Sequence, residues 1–172
     1  MERGYVQVYT GNGKGKTTAM LGLAMRAGGA NLRVYIGQFV KSMEYHEVAV
    51  IRKSLPNIAI EIYGLGCTLD REPTEEDAQA AKSGLEKASA AVFSGNYDVV
   101  MLDEISIAVY MKMLDVSSIL ELMHTKPPNV ELVLTGRFAT AEIIEAADLV
   151  TEMTEVKHYY ANGVPARDGI ER

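Results

Sequence analysis

The stretch from Tyr5 to Met20, YVQVYTGNGKGKTTAM, changes its periodicity at a glycine-rich turn. A short β-branched and aromatic run reads as a strand, three glycines and two lysines make the turn, and apolar residues then recur at helical spacing. A strand that runs through glycines straight into a helix constrains the chain toward an α/β fold. It also sets Gly11, Asn12, Gly13, Lys14, Gly15, Lys16, Thr17 and Thr18 between the end of a strand and the start of a helix. Backbone N–H groups in such a turn point inward, glycines let an anion approach without a Cβ in the way, and the helix N-terminus adds partial positive charge. Lys16 is expected to neutralise phosphate and the Thr17 hydroxyl to ligate a magnesium ion. The usual phosphate-loop spacing has a glycine five residues before Gly15, where this chain has Thr10. A glycine-rich connection with incidental lysines is the bland alternative. The order strand, turn, Gly15-Lys16-Thr17-Thr18, helix argues against it, and triphosphate binding is the reading.

The alternation continues along the chain. Residues 5–10, 33–40, 58–64, 97–103 and 129–136 read as strands, and 16–29, 74–94, 115–125 and 139–147 carry helical spacing. Pro73-Thr74-Glu75-Glu76 and Asp115 read as helix starts and Gly95-Asn96 as a stop. Near-continuous apolar strands alternating with helices predict a mostly parallel sheet with helices on both faces. No repeat or linker divides the chain, so residues 1–172 are expected to form a single domain. The polar, glycine-containing tail from Lys157 to Arg172 reads as extended or loosely ordered.

Composition excludes some partners. Seventeen Lys plus Arg against 23 Asp plus Glu give a net charge of −6, with no basic run to follow a phosphate backbone, so no nucleic-acid partner is expected. Cys67 is the sole cysteine, which rules out an internal disulfide and fits a reducing cytosol. No signal-type stretch opens the chain, and no apolar run approaches the roughly 20 residues of a membrane helix. A cytoplasmic location without membrane contact is expected.

Two further stretches carry chemistry. VVMLDE (99–104) is a buried-strand pattern ending in two carboxylates. Asp103 is a candidate to hold a magnesium shell through Thr17 or water, and Glu104 to ligate the metal or orient a water. Alone, an acidic pair ending a strand is more often a helix cap; beside the glycine turn, the metal role is the better reading. LTGR (134–137) brings Arg137 to the same carboxyl edge, where ligands of open α/β sheets gather, as a forked clamp on phosphate oxygens. These features serve ATPases, kinases and other nucleotide enzymes equally.

TGNGKGKTTA (10–19), QFVK (38–41), DVVMLDEI (98–105), TGR (135–137), IIEAADLVTEM (143–153), VKH (156–158) and GIE (169–171) together resemble the phosphate-loop corrinoid adenosyltransferases, in order and over nearly the whole chain. The resemblance implies a RecA-like phosphate-loop domain. It implies transfer in place of hydrolysis: the monovalent cobalt of a reduced corrinoid attacks the 5′ carbon of ATP and triphosphate leaves. It also implies a nucleotide reversed in the loop, a flavoprotein-type electron donor and a homodimer. Lys14, Lys16, the loop amides, Mg²⁺ on Thr17 and Glu104, and Arg137 would supply the charge neutralisation that the leaving group needs. No catalytic histidine is required, and His46, His124 and His158 form no ligand cluster in sequence.

The chain departs from that family at the corrinoid pocket. Relatives carry a GEGFTW-type segment whose two aromatics pack under the corrin ring; here Gly64-Leu65-Gly66-Cys67-Thr68-Leu69 stands in its place. Gly64, Gly66, Cys67 and Leu69 are the pocket candidates. Losing two aromatic rings forfeits about 1.5–3 kcal/mol each when fully buried. Either the pocket is merely roomier, or corrinoid handling has changed. A Mg-ATP hydrolase or phosphotransferase, and a nucleotide- or corrinoid-binding module without turnover, are the rival readings. Longer relatives also carry an N-terminal helical extension that covers the partner's site, and with the first strand at Tyr5 that cover is expected to be missing.

Overall fold

The computed structural model describes residues 2–66 and 71–171. In chain order the elements are β1 (Val6–Thr10), α1 (Lys16–Gly29), β2 (Val34–Gln38), α2 (His46–Ser54), β3 (Ile58–Ile62), α3 (Glu75–Phe93), β4 (Val99–Asp103), α4 (Ile105–Tyr110), α5 (Val116–Thr125), β5 (Glu131–Thr135), α6 (Ala141–Ala146) and β6 (Leu149–Glu152), followed by a 3₁₀ turn at Tyr159–Asn162. The six strands form one all-parallel sheet in the order β3-β2-β4-β5-β1-β6. The expectation of a parallel α/β sheet covered on both faces holds.

Strand alternation builds two cores. Val34, Ile36, Val99, Met101 and Val133 face one side, where they pack with Met20, Ala24 and Ala27 of α1 and Val48 and Ile51 of α2. Tyr35, Val100, Leu102, Leu132 and Leu134 face the other, against α3, α4, α5 and Ile143 of α6. The split follows from the path of the chain. From β1 through β2 to β3 it moves toward one edge of the sheet; from β3 through β4 and β5 to β6 it moves back. With one crossover hand, helices from the two runs land on opposite faces. The reversal brings the carboxyl ends of β1, β4 and β5 side by side, with Tyr9 level with Thr135 and Gln38 level with Asp103.

Three elements were not foreseen in the sequence. β6 is an edge strand, exposed along its length, so it lacks the apolar signature of the others. α4 is an apolar run directly after β4 and reads as a continuation of that strand. α2 is short, and its apolar residues run consecutively from Val48 to Ile51 with no helical period. The tail also differs from expectation. Instead of running loose, it folds back on the glycine turn, where Glu171 meets Lys14 at 2.8 Å.

Candidate functional site

The glycine turn opens α1 with Gly15 as N-cap at φ +123, and no side chain caps the helix. Its first amides therefore lack intrahelical acceptors and face the cavity above the carboxyl edge. Lys16 is buried, and its ammonium donates to the carbonyl oxygens of Gly11 at 2.7 Å and Gly13 at 2.8 Å. Burial pulls the Lys16 ammonium below the ordinary lysine value, with Arg137 pushing the same way and Glu104 and Asp103 opposing.

Gly11 and Gly13 have a structural reason that the sequence reading did not give. A Cβ on Gly11 would lie 2.5 Å from the carbonyl oxygen of Met153, and one on Gly13 would lie 2.7 Å from it. The Gly13 amide donates to that same oxygen at 2.6 Å. These two glycines admit the chain leaving β6. Gly15, where a Cβ would meet only Met153 Sδ at 3.3 Å, is the glycine that leaves room on the cavity side.

Asp103 is fully buried at the end of β4 and saturated with donors. Oδ1 accepts from the Thr17 hydroxyl at 2.9 Å and the Thr135 hydroxyl at 2.7 Å; Oδ2 accepts from Lys41 Nζ at 2.6 Å and Gln38 Nε2 at 3.2 Å. From the sequence Lys41 enters only as the last residue of QFVK (38–41) and with no role, because a lysine directly after an apolar run carries no chemical signal of its own. Burial pulls its ammonium down, but Asp103 first and then Glu104 and Glu47 pull it up, and the net shift is upward. Glu104 follows in a left-handed conformation (φ 60), its amide donating to Thr135 Oγ1 at 3.0 Å. Burial first and Asp103 second raise its carboxyl above the usual range, against the opposing pull of Lys41, Lys16 and Arg137.

Val40 (φ 67), Glu104 and Phe138 (φ 60) place three left-handed, non-glycine residues just past β2, β4 and β5. Such conformations cost about 1–3 kcal/mol each and persist where surrounding structure enforces them, often at functional sites.

One cavity of about 580 Å³ joins these parts. Gly13, Lys14, Gly15, Lys16, Thr17, Thr18, Glu104 and Arg137, all candidates from the sequence, line it together; so do Val40, Lys41, Tyr45, His158 and Glu171, which had no assigned role in the sequence. Gly11 and Asn12 belong to the turn but not to the lining, and Asp103 stands behind it. Gly64 is apart, in a narrow cleft with Phe39, Tyr63 and Leu65, and the Gly66 amide donates to the Val40 carbonyl at 3.2 Å. Val40 thus links the two regions. Cys67 and Leu69 lie outside the described residues. His46 also lines the cavity, from an exposed position where it pairs with Asp168 at 2.9 Å; His124, exposed on α5, does not line it.

The donor set is of hard oxygens: the Thr17 hydroxyl, the Glu104 carboxylate, and Asp103 behind Thr17. Among the described residues, no group of three or more His, Cys, Asp or Glu could cage a metal ion. Two protein oxygens beside the ammonium of Lys16 would suit a small divalent cation that takes its remaining ligands from water or a bound anion. Among the described residues, no helix is long and apolar enough to cross a membrane.

Comparison with known proteins bears on which reaction uses this cavity. The profile described as ATP:corrinoid adenosyltransferase BtuR/CobO/CobP matches residues 2–172. The corrinoid adenosyltransferase of Pseudomonas aeruginosa is 33% identical over 171 residues, covering 99% of this chain and 84% of that protein. The Escherichia coli K12 corrinoid adenosyltransferase is 32% identical over 170 residues (99% and 86%), and that of Sinorhizobium is 36% identical over 174 (99% and 81%). These matches favour adenosyl transfer over the hydrolase and phosphotransferase alternatives. With the family profile matched over residues 2–172 and relatives similar over 99% of its length, this chain belongs to the ATP:corrinoid adenosyltransferase family.

Proposed function

We propose that the chain carries out ATP-dependent adenosylation of a corrinoid by holding the triphosphate of ATP on the turn Gly13–Thr18 and turning the 5′ carbon toward a corrinoid at the Val40–Gly66 side of the cavity. The observation that carries this reading is the convergence of a helix N-terminus, Lys14, Lys16 and Arg137 on one cavity that also holds Glu104. The monovalent cobalt of the corrinoid substrate gives its electron pair to C5′. A cobalt–carbon bond forms as the C5′–O bond breaks, and that bond's pair leaves on triphosphate. Such a step needs anion stabilisation at the leaving group and no protein base. Lys14, Lys16 and Arg137 are the cations in reach, and the first amides of α1 add fixed dipoles.

Thr17 and Glu104 would hold Mg²⁺, with Asp103 accepting the Thr17 proton so that the hydroxyl lone pair faces the cation. When bound, the ion withdraws charge from the departing triphosphate. Gly64, Gly66, Cys67 and Leu69 are the proposed corrinoid side. A flavoprotein-type electron donor, a homodimer and a cytoplasmic location complete the reading, each supported by the family resemblance.

The test is anaerobic incubation with ATP, magnesium and chemically reduced corrinoid. A visible spectrum of a carbon–cobalt bond together with stoichiometric triphosphate is expected. ADP and phosphate without that bond would overturn the reading.

A further inference from the structure

Lys41 is used by no step above, yet it occupies an enclosed polar position of the cavity. Its ammonium lies 2.6 Å from Asp103 Oδ2 and 3.3 Å from the Thr17 hydroxyl oxygen. Thr17 gives its single hydroxyl proton to Asp103 Oδ1 at 2.9 Å, so its contact with Lys41 spends an oxygen lone pair. A metal ion can bind a threonine hydroxyl only through such a lone pair. The Lys41 side chain is 15% exposed and Asp103 not at all, so this is an enclosed cation and not a solvated one. The backbone aims it there: β2 ends at Gln38, Lys41 N donates to the Phe39 carbonyl at 2.6 Å, and Val40 between them takes a left-handed φ of 67 that a β-branched residue adopts only under constraint.

Resting on the reading that triphosphate and its divalent cation bind at this loop, we propose that Lys41 is a positioning residue whose ammonium holds the cation's seat until substrate arrives. It keeps Thr17 and Asp103 assembled, and a divalent cation reaches the remaining lone pair of the Thr17 oxygen only against an ammonium 3.3 Å from that oxygen, so seating the ion requires Lys41 to move aside. A bare ion must displace a paired ammonium with nothing to receive it. An ion arriving with a polyphosphate brings new anionic oxygens into the cavity that Lys41 already lines. The site therefore selects the metal–nucleotide complex over the free metal. A lysine that merely neutralises buried Asp103 would make no such selection.

The experiment uses the full chain and Mn²⁺ without nucleotide, with free Mn²⁺ read by electron paramagnetic resonance. Lys41→Gln is expected to bind Mn²⁺ at least tenfold more tightly than the unmodified protein, and Lys41→Arg to stay as weak as the unmodified protein. Adding Thr17→Ala to Lys41→Gln should abolish the gain. Equal or weaker Mn²⁺ binding by folded Lys41→Gln overturns the proposal. A second measurement needs no variant at position 41: the ¹⁵Nζ resonance of Lys41 should move on adding Mg²⁺ with inorganic triphosphate and stay in place with MgCl₂ alone. Movement with neither, or equally with both, overturns it too. The parent reading fails separately, and takes this one with it, if Mn²⁺–triphosphate binding is absent or indifferent to Thr17→Ala. If that binding depends on Thr17 while Lys41→Gln leaves the bare-metal affinity unchanged, only the role of Lys41 is lost.

Discussion

Lys16 is folded into its own loop, with two carbonyl oxygens as its partners and a buried, destabilised charge. A polyanion entering the cavity offers that ammonium a stronger partner than a carbonyl, since bonds between charged groups exceed neutral ones. Lys16→Met should therefore weaken ATP binding by roughly 10- to 100-fold, the equivalent of about 1.5–3 kcal/mol for a hydrogen bond to a charged group, as read by calorimetry. Arg137 is exposed and lines the cavity from β5, so Arg137→Ala should slow transfer while leaving the unfolding temperature within a degree or two of the unmodified protein. Gly13→Ala is expected to do the reverse. Its Cβ would lie 2.7 Å from the Met153 carbonyl oxygen, so the change should lower the unfolding temperature and loosen β6 as well as the loop. The contrast marks what spacing can convey. Gly15, Lys16, Thr17, Glu104 and Arg137 were legible because local order fixes their place at one sheet edge. The purpose of Gly11 and Gly13 was not, because it depends on a segment some 140 residues away in sequence. Lys41 was not legible for the same reason: its meaning lies in Asp103, across the sheet.

Among the elements, α3 shows how much of the fold local chemistry determines. Thr74 caps it, and Asp77 completes a reciprocal box: the Asp77 amide donates to Thr74 Oγ1 at 3.2 Å and the Thr74 amide to Asp77 Oδ2 at 2.8 Å. Arg71 adds a fork to the same carboxylate at 2.7 and 3.0 Å. Thr74 was readable as a helix start; the Arg71 fork was not, since it comes from the preceding loop. Arg71 first, then the Thr74 amide, hold the Asp77 carboxyl well below the usual carboxylate range. A lowered acid stabilises the fold above its unfolded value of about 3.9 and loses that contribution as pH falls through the folded value. Asp77→Asn should therefore cost about 1–3 kcal/mol near neutral pH and flatten the loss of stability below about pH 4, measured by urea unfolding across pH. β1 to β5 and four of the helices over them, α1, α3, α5 and α6, announced themselves by period. β6 did not, because an exposed edge strand has no apolar alternation to read; α4 did not, because six residues, five of them apolar, are too few to show a period; and α2 did not, because its apolar residues run consecutively from Val48 to Ile51.

At the scale of the whole molecule, a sheet that reverses direction brings three carboxyl ends together, and the last residues of the chain return to close over them. Glu171 accepts from Lys14 at 2.8 Å, from the Tyr159 hydroxyl, and from Arg167 at 2.8 Å through its backbone amide. The turn's outer lysine is thus already paired with a carboxylate of its own chain, and a phosphate must compete for it. Glu171→Gln should raise ATP affinity and speed hydrogen exchange of the amides in residues 158–171. Both effects should shrink as KCl is raised, because this pairing lies at the protein surface where salt screens it. Arg167 first, then Lys14 and Tyr159, hold the Glu171 carboxyl well below its usual range, so the closure is present above the unfolded value of about 4.3 and is lost as pH falls through the folded one. In the unmodified protein, protection of the amides in 158–171, taken relative to intrinsic exchange at each pH, should therefore be lost only below about pH 4, and in Glu171→Gln it should be low throughout. If Glu171→Gln instead weakens ATP binding, the carboxylate is a wall of the nucleotide site, and the tail closes with substrate in place of against it.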